Sequence, residues 1–99
     1  MATFITTLQF TDKGEEQIRE TTKRAAAFQA TAEKIGIKVV GQYWTLGDFD
    51  GLLIFEARDD ETATAAMLHL GSLDNVHTST VRAFDAAEMA KVLKKLPKA

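Results

Sequence analysis

The stretch that decides the fold is Val40-Gly41-Gln42-Tyr43-Trp44-Thr45-Leu46-Gly47-Asp48-Phe49-Asp50-Gly51-Leu52-Leu53-Ile54-Phe55-Glu56-Ala57. Valine and aromatic residues before the central Gly/Asp turn, and an apolar run after it, predict two strands joined as a hairpin. The second strand is apolar on both parities, which is typical of a central strand covered on both faces. We therefore expect the other elements to be arranged around this hairpin.

Strand and helix patterns continue on both sides of the hairpin. Before it, residues 3–10 predict a strand and residues 15–35 predict a helix, with a weak point at Thr21-Thr22. After it, a helix that ends near Leu70 precedes a strand over residues 76–84. A last amphipathic helix follows, and its apolar face comprises Met89, Val92, Leu93 and Leu96.

Three helix ends carry recognisable signals. Asp12 and Glu15 have the spacing of a capping box, in which an acidic N-cap side chain accepts a free backbone N–H of the first turn. Asp85 and Glu88 repeat that spacing before the last helix. Gly36 stands where a helix commonly ends on a left-handed residue.

The resulting element order is β–α–β–β–α–β with an added C-terminal helix. Right-handed crossings then place the helices on one face of a four-stranded antiparallel sheet, which is the ferredoxin-like α+β sandwich. With 99 residues, the chain is expected to form one domain over residues 1–99. The other sheet face stays uncovered, and its apolar residues need a partner. We expect a homodimer packed through this open sheet face with two-fold symmetry.

Composition excludes several classes of partner and chemistry. A formal net charge of -2 argues against nucleic acid as the main partner, because phosphate binding needs a basic face. The absence of cysteine excludes disulfides and thiolate chemistry. No apolar run approaches the ~18 residues of a membrane span, and the N-terminus has no signal-peptide pattern. These features predict a cytoplasmic location without membrane contact.

This element order, together with Tyr43-Trp44-Thr45-Leu46-Gly47-Asp48-Phe49-Asp50, resembles the GYD-domain family, which comprises small bacterial and archaeal proteins of undetermined function. The motif that names the family has tyrosine before its aspartate, and Phe49 occupies that position here. A proton-transfer role for that phenol is therefore not assigned. The resemblance covers nearly the full chain and includes residues 2–5, 11–14, 33–38, 55–57, 70–72 and 80–84.

The resemblance also implies an assembly, because this family belongs with the dimeric α+β barrels. In that superfamily two ferredoxin-like sheets pack into a barrel, and ligands often lie between a sheet and its helices or inside the barrel. Its members include cofactor-free monooxygenases, muconolactone isomerase-like enzymes, haem-degrading enzymes and small regulators. The fold alone does not choose among these functions.

Three residues are candidates for acid–base catalysis. Glu56 would be a plausible general base if it were buried among the apolar side chains of its strand, although a salt bridge with Arg82 is the structural alternative. Asp50 could act in the same way, or its side chain could bond nearby backbone N–H groups of the turn. His77 is the third candidate. His77 and His69 are the two histidines of the chain, and the spacing between them matches no known pattern of metal ligands.

Three further residues are candidates for ligand binding. Tyr43 and Trp44 point to opposite sheet faces because neighbours in a strand alternate, so one of them could form a wall for a planar ligand. Packing in the core or at an interface is the alternative for each ring. Arg82 could bind a carboxylate across the sheet, although a structural role is favoured. No metal or cofactor is expected.

Two functions remain open at this point. The first is a homodimer that binds a small molecule or acts structurally, without catalysis. The second is a cofactor-independent enzyme, monooxygenase- or isomerase-like, that acts on a small aromatic or carbonyl compound. It would use Tyr43 or Trp44 as a wall and Glu56, Asp50 or His77 as acid or base.

Overall fold

The computed structural model describes residues 1–98. Four strands and four helices lie within that range. The elements follow the expected order, except that the single helix predicted over residues 15–35 is divided into two. A short 3-10 turn at Ile18–Glu20 separates the first two helices, close to the weak point expected at Thr21-Thr22. The elements are β1 (Ala2–Phe10), α1 (Asp12–Glu16), α2 (Thr21–Lys34), β2 (Lys38–Trp44), β3 (Gly51–Ala57), α3 (Asp60–Ser72), β4 (Val76–Ala83) and α4 (Ala86–Lys94).

The four strands form one antiparallel sheet in the order β2-β3-β1-β4. This order and the two helix crossings define the ferredoxin-like α+β fold, so the predicted fold class is confirmed. The central positions belong to β1 and β3, and β2 and β4 form the edges. The hairpin of residues 40–57 thus supplies one central strand and one edge.

The core lies between the sheet and the helices α2 and α3. Phe4 faces Phe55 in the register of β1 and β3, and their rings stack with centroids 5.3 Å apart. Thr6 lies opposite Leu53 on the same face and is fully buried. Burying such side chains is the main favourable contribution to folding. The buried apolar residues are Phe4, Phe28, Ala32, Ile37, Leu53, Phe55, Ala57, Ala63 and Ala66.

The strand β3 is covered on one face only, and the expectation of cover on both faces is wrong for a single chain. Leu53 and Phe55 are buried under the helices, whereas Leu52 and Ile54 on the opposite face are half-buried. Ile54 lies opposite Ile5, which in turn lies opposite Val81 of β4. These residues form the apolar centre of the open sheet face.

The connection between β2 and β3 is longer than the sequence pattern predicts. Trp44 already pairs with Gly51, so residues 45–50 connect the strands, and the Thr45 N–H donates to the Asp50 carbonyl oxygen at 3.0 Å. A register shift between Val39 and Gly41 marks a β-bulge in β2. The sequence pattern predicts a strand over residues 37–46 and a turn over residues 47–50, so the edge strand ends two residues earlier than expected, at Trp44.

Helix ends follow the predicted signals in part. Asp85 and Glu88 form the capping box of α4, and Gly36 has the expected positive φ of 89°. The cap of α1, however, is Thr11 instead of Asp12, since the Thr11 Oγ1 accepts the Gly14 N–H at 3.0 Å. The Thr11 hydroxyl, one residue before Asp12, thus accepts a backbone N–H of the first helical turn that has no partner within the helix.

Two chain corners that are distant in sequence are joined at one end of the sheet. The Thr11 N–H donates to the Asn75 carbonyl oxygen at 3.1 Å, and its hydroxyl donates to the Asp74 carbonyl oxygen at 2.6 Å. A Cβ at Gly14 would lie 2.1 Å from the Asn75 carbonyl oxygen, so only glycine fits there. This corner contact fixes the start of α1 against the end of α3.

The helix α4 extends away from the rest of the molecule. The Cα positions span 55 by 31 by 19 Å, which is elongated for a chain of this length. The predicted apolar face of α4 is present, but no residue of the helix is buried. An ion pair between Arg82 and Glu88 holds its first turn to the end of β4.

Candidate functional site

A cleft opens between the sheet and the helices, at the end where α2 begins and α3 ends. It has a volume of about 70 Å³, which is room for a few water molecules or for part of a small organic molecule. Its walls are mainly apolar and include Leu8, Ala25, Phe28, Leu53, Leu70 and Leu73. An apolar cleft with a few polar groups is the usual form of a small-molecule site.

Of the two neighbouring aromatic residues of the hairpin, Trp44 is the one whose side chain lies on the helix face and lines the cleft. Its indole N–H donates to the Thr21 hydroxyl at 3.0 Å, which joins the end of β2 to the first residue of α2. The Tyr43 ring lies on the open sheet face, because a Cβ at Gly41 would meet its Cε2 atom at 3.0 Å. The structure thereby answers which ring faces a cavity.

Asp50 lies at the mouth of the same cleft. Its Oδ2 accepts the Phe10 N–H at 2.9 Å, and its own N–H donates to the Leu8 carbonyl oxygen at 2.8 Å. The carboxylate therefore bonds a backbone group on the distant strand β1, and the expected bonding to nearby turn residues is wrong. A carboxylate held in this way keeps a fixed position at the cleft.

Two polar residues of the cleft, Asn75 and Arg24, were not singled out from the sequence. The Asn75 Oδ1 atom is buried and has no hydrogen-bond partner. Arg24 donates to the Gln17 carbonyl oxygen at 2.7 Å and to the Gly14 carbonyl oxygen at 3.3 Å. An unpaired buried acceptor is costly, so Asn75 marks a position where a donor would be stabilising.

The side chains of Glu56, Tyr43 and His77 lie on the open sheet face, although Tyr43 is among the residues that line the cleft. The Glu56 Oε1 atom is 4.0 Å from the Lys38 Nζ atom, and His77 is exposed opposite Gln9. The three candidates for acid–base catalysis are thus not brought together, because Asp50 lies at the cleft and the other two lie on the opposite face.

Arg82 lies on the helix face at the other end of the sheet from the cleft. Its guanidinium is 3.0 Å from the Glu88 carboxylate and lies over the Phe84 ring, 4.5 Å from the centroid. The hydrogen bond from Arg82, followed by that from the Asp85 backbone, lowers the pKa of Glu88. The alternative pairing of Arg82 with Glu56 is wrong, since the two side chains lie on opposite sheet faces.

Among the described residues, 1–98, no three histidine or acidic side chains converge in a way that could hold a metal ion. Within the same range, no helix has the length and apolar character needed to cross a bilayer. The groups that the cleft offers to a ligand are its apolar walls and the side chains of Trp44, Asp50 and Asn75.

The fold and the hairpin sequence are those expected of the GYD-domain family, and the match extends over most of the chain. Residues 4–93 match the family model described as the GYD domain. The chain belongs to the GYD-domain family. This GYD protein is also 37% identical over 95 residues to the "Glutamine synthetase and cystathionine beta-lyase binding protein" of Thermus thermophilus, and the match covers 95% of this chain and all of that relative.

Solved structures share the fold of this GYD protein at low sequence identity. TTHA0845 from Thermus thermophilus superposes with a TM-score of 0.57 at 20% identity, covering 87% of this chain and 96% of that one. MtbAldR gives 0.62 at 16% identity, with 85% of this chain and 53% of that chain covered. A homoserine dehydrogenase from Thiobacillus denitrificans gives 0.58 at 15% identity, with coverages of 85% and 17%. The chain thus spans about half of MtbAldR and about a sixth of the dehydrogenase.

Proposed function

We propose that this GYD protein is a homodimeric binding protein that holds a small organic molecule in the cleft and does not catalyse a reaction on it. The observation that carries the proposal is the buried Asn75 Oδ1 atom, which has no hydrogen-bond partner in a cleft whose walls are mainly apolar. A ligand that donates one hydrogen bond would satisfy this acceptor and gain from burial of its apolar part.

The dimensions and chemistry of the cleft restrict the ligand. The volume of about 70 Å³ is roughly half that of a cavity that holds benzene, so the cleft takes a group of a few heavy atoms with one amine, amide or hydroxyl, while any larger part of the ligand lies at the open mouth. The indole of Trp44 offers a flat wall at the lip, so an aromatic or planar body is favoured.

The homodimer is supported by the open sheet face. Ile5, Ile54 and Val81 follow one another across three strands there, and Val81 and Tyr43 are more than half exposed. An apolar centre with a polar rim, here Lys38 and Glu56, is the usual anatomy of an interface. Two copies of this face would cover each other under a two-fold axis.

A protein partner is the second part of the proposal. The relative from Thermus thermophilus is named for binding glutamine synthetase and cystathionine β-lyase, and it matches this chain over its full length. We extend that role to this chain, so that it would bind the corresponding enzymes of its own cell. Biolayer interferometry with the two purified enzymes tests it, and absence of binding to both would contradict it.

Small-molecule binding is tested with a thermal-shift screen of compact compounds that carry one hydrogen-bond donor. A ligand present at about 100 times its Kd should stabilise the protein by about 2.7 kcal/mol and raise Tm. The variant Asn75→Leu should lose this response while its ligand-free stability is unchanged or higher, because the removed acceptor has no partner.

The matched control is Gln29→Leu, since Gln29 lies on α2, does not line the cleft and is not on the open sheet face. It should respond to the same compounds as the unmodified protein. A screen without a hit, or a hit that Asn75→Leu still binds equally well, would contradict the proposed site.

A cofactor-independent enzyme of the monooxygenase or isomerase type is the alternative, and Asp50 is the observation that favours it. This carboxylate is fixed at the cleft mouth beside Trp44, where it could take a proton from a small carbonyl compound. Incubating a screening hit with the protein and following it by mass spectrometry separates the two functions. Turnover that Asp50→Asn abolishes would establish the enzyme, and an unchanged compound supports the binding protein.

A further inference from the structure

A second depression adjoins the cleft, beside α1, α2 and the end of α3. It has a volume of about 400 Å³, and several of its lining residues, among them Arg24 and Asn75, also line the cleft. Lys13, Thr31 and His69 complete its polar lining, and we call this depression the basic pocket. Because Arg24 and Asn75 border both cavities, a molecule in the cleft lies next to the basic pocket.

The charge of the basic pocket is positive. Its charged lining residues are Lys13 and Arg24, and no aspartate or glutamate of residues 1–98 lines it. Asp12 and Asp74 line a separate depression, which Lys13 also borders. The whole chain has a formal net charge of -2, so an excess of positive charge is not a general property of its surface.

Backbone carbonyl groups hold the two cations of the basic pocket. Arg24 donates to the Gln17 and Gly14 carbonyl oxygens at 2.7 and 3.3 Å. The Lys13 Nζ atom donates to the Leu73 carbonyl oxygen at 3.2 Å. Within residues 1–98, neither side chain forms an ion pair. Both keep unused N–H donors, since a guanidinium has five and an ammonium has three. The pocket thus offers fixed positive groups without a negative partner from the chain.

A carboxylate is the anion that suits this pocket best. Guanidinium and ammonium groups bind carboxylate oxygens through strong, charge-assisted hydrogen bonds. Phosphate groups commonly bind at the start of a helix, and neither α2 nor α3 begins at this pocket. The last turn of α3 lines it through His69. Because the end of a helix carries partial negative charge, an anion with one negative charge is favoured over one with two.

Asn75 adds a second requirement to the ligand. Its buried Oδ1 atom has no hydrogen-bond partner among the described residues, and it belongs to a residue that borders both cavities. A molecule whose carboxylate lies at Arg24 and Lys13 satisfies this acceptor if it also carries an amine or a hydroxyl group. The two requirements together define a class of compound.

We infer that the ligand of this GYD protein is a small carboxylic acid that also carries an amine or a hydroxyl group, as amino acids and hydroxy acids do. Its carboxylate binds Arg24 and Lys13, its amine or hydroxyl donates to Asn75, and an apolar group of a few atoms enters the cleft. This inference rests on the proposed small-molecule binding and adds the chemical class of the ligand.

Isothermal titration calorimetry with matched compounds tests the inference. The probes are the standard amino acids, the corresponding 2-hydroxy acids, and the amides of the same amino acids, which keep the amine and the side chain but lack the negative charge. Members of the two acid series should bind. Each amide should bind roughly tenfold or more weakly than its acid, because it loses the charged hydrogen bonds to Arg24 and Lys13.

The variant Lys13→Met assigns the effect to the basic pocket. Lys13 is exposed, so the variant should fold, whereas a change at the half-buried Arg24 would also remove two bonds to the backbone. Lys13→Met should weaken binding of the acids by about threefold or more and leave binding of the amides unchanged or stronger. The matched control is Lys34→Met, since Lys34 is an exposed lysine of α2 that lines neither cavity.

The outcomes separate this inference from the proposed function. Amides that bind as tightly as their acids, or acids that Lys13→Met and Lys34→Met bind equally well, overturn the carboxylate site and leave a binding protein for another ligand. Inorganic phosphate that binds more tightly than every acid overturns the choice of carboxylate. Binding of one acid series alone supports the inference and identifies the donor to Asn75 as an amine or a hydroxyl. If neither these compounds nor those of the thermal-shift screen bind, the proposed function is overturned as well.

Discussion

Two residues that line the cleft also hold its walls together. Trp44 reaches Thr21 across the cleft, and Asp50 reaches the backbone of Phe10. Each bond joins the hairpin to an element that is distant in sequence. The side chains that would contact a ligand therefore also hold the walls of its site, which limits how far they can be changed.

Replacement of Asp50 by alanine tests this coupling. The half-buried Phe10 N–H would lose its acceptor, so we expect a loss of unfolding free energy of about 1–3 kcal/mol. Urea denaturation measures it. Asp48→Ala is the control, because the exposed Asp48 bonds to Gln9 through its backbone oxygen only. Equal stabilities of the two variants would show that the Asp50 contact contributes nothing.

For single residues, the sequence indicated which side chains could take part in a site. It was less informative about the sheet face on which each side chain lies. It placed Tyr43 and Trp44 on opposite faces, but the register that sends Trp44 to the cleft depends on the length of the connection after it. It suggested Arg82 as a partner of Glu56, and strand pairing puts the two on opposite faces. Asn75 carried no signal, because a polar residue before a strand is ordinary.

Among the elements, α4 depends most on its first turn. Its capping box and the ion pair of Glu88 with Arg82 are the contacts that hold the helix to the body. Helices of this length rely on such end contacts, since internal hydrogen bonding alone does not sustain them. The orientation of α4 should thus respond to the charge of one carboxylate.

The attachment of α4 should weaken in acid. Arg82, and then the Asp85 backbone, lower the pKa of Glu88 in the folded chain. The carboxylate therefore stabilises α4 fully above the unfolded pKa of about 4.3, and this contribution is lost as pH falls through the lower folded value. Hydrogen exchange of the α4 amides from pH 7 down to 3 measures it.

The variant Glu88→Gln serves as the control for that titration. Its α4 amides should already be less protected at pH 7, and their protection should change less with pH. An α4 whose protection in the unmodified chain does not decrease in acid would contradict the role assigned to the ion pair.

Elements were the level at which the sequence was most informative. All four strands and the main helices lie within a few residues of their predicted bounds, because apolar periodicity and Gly36, Asp85 and Glu88 are local signals. The cap at Thr11 was missed because a threonine and the aspartate that follows it can both serve as caps. The exposure of α4 could not be predicted, since an amphipathic pattern does not say what covers it.

For the whole molecule, the open sheet face carries the proposed dimer. Tyr43 is 57% exposed on this face, so Tyr43→Glu should leave the single chain folded while it shifts the sedimentation equilibrium toward monomer. Ala30→Glu, on the exposed side of α2, is the control and should remain dimeric. A dimer that Tyr43→Glu leaves unchanged would place the interface elsewhere.

The overall topology followed from the sequence because few arrangements satisfy the element order. Right-handed crossings and antiparallel hairpins restrict a β–α–β–β–α–β chain to the observed strand order. The cleft did not follow, since its walls come from all four strands and two helices, and its volume depends on how side chains pack between them.

The corner where Thr11 meets Asp74 and Asn75 has a consequence for the way the chain acquires its structure. These bonds join residues more than sixty positions apart, and β1 pairs with both β3 and β4 from the other half of the chain. Neither half contains all four strands, so β1 pairs with β3 first and gains its second neighbour only when β4 has been synthesised. Contacts of such long range slow the search for the native state. An emerging chain therefore leaves one edge of the central strand β1 unpaired until β4 is complete.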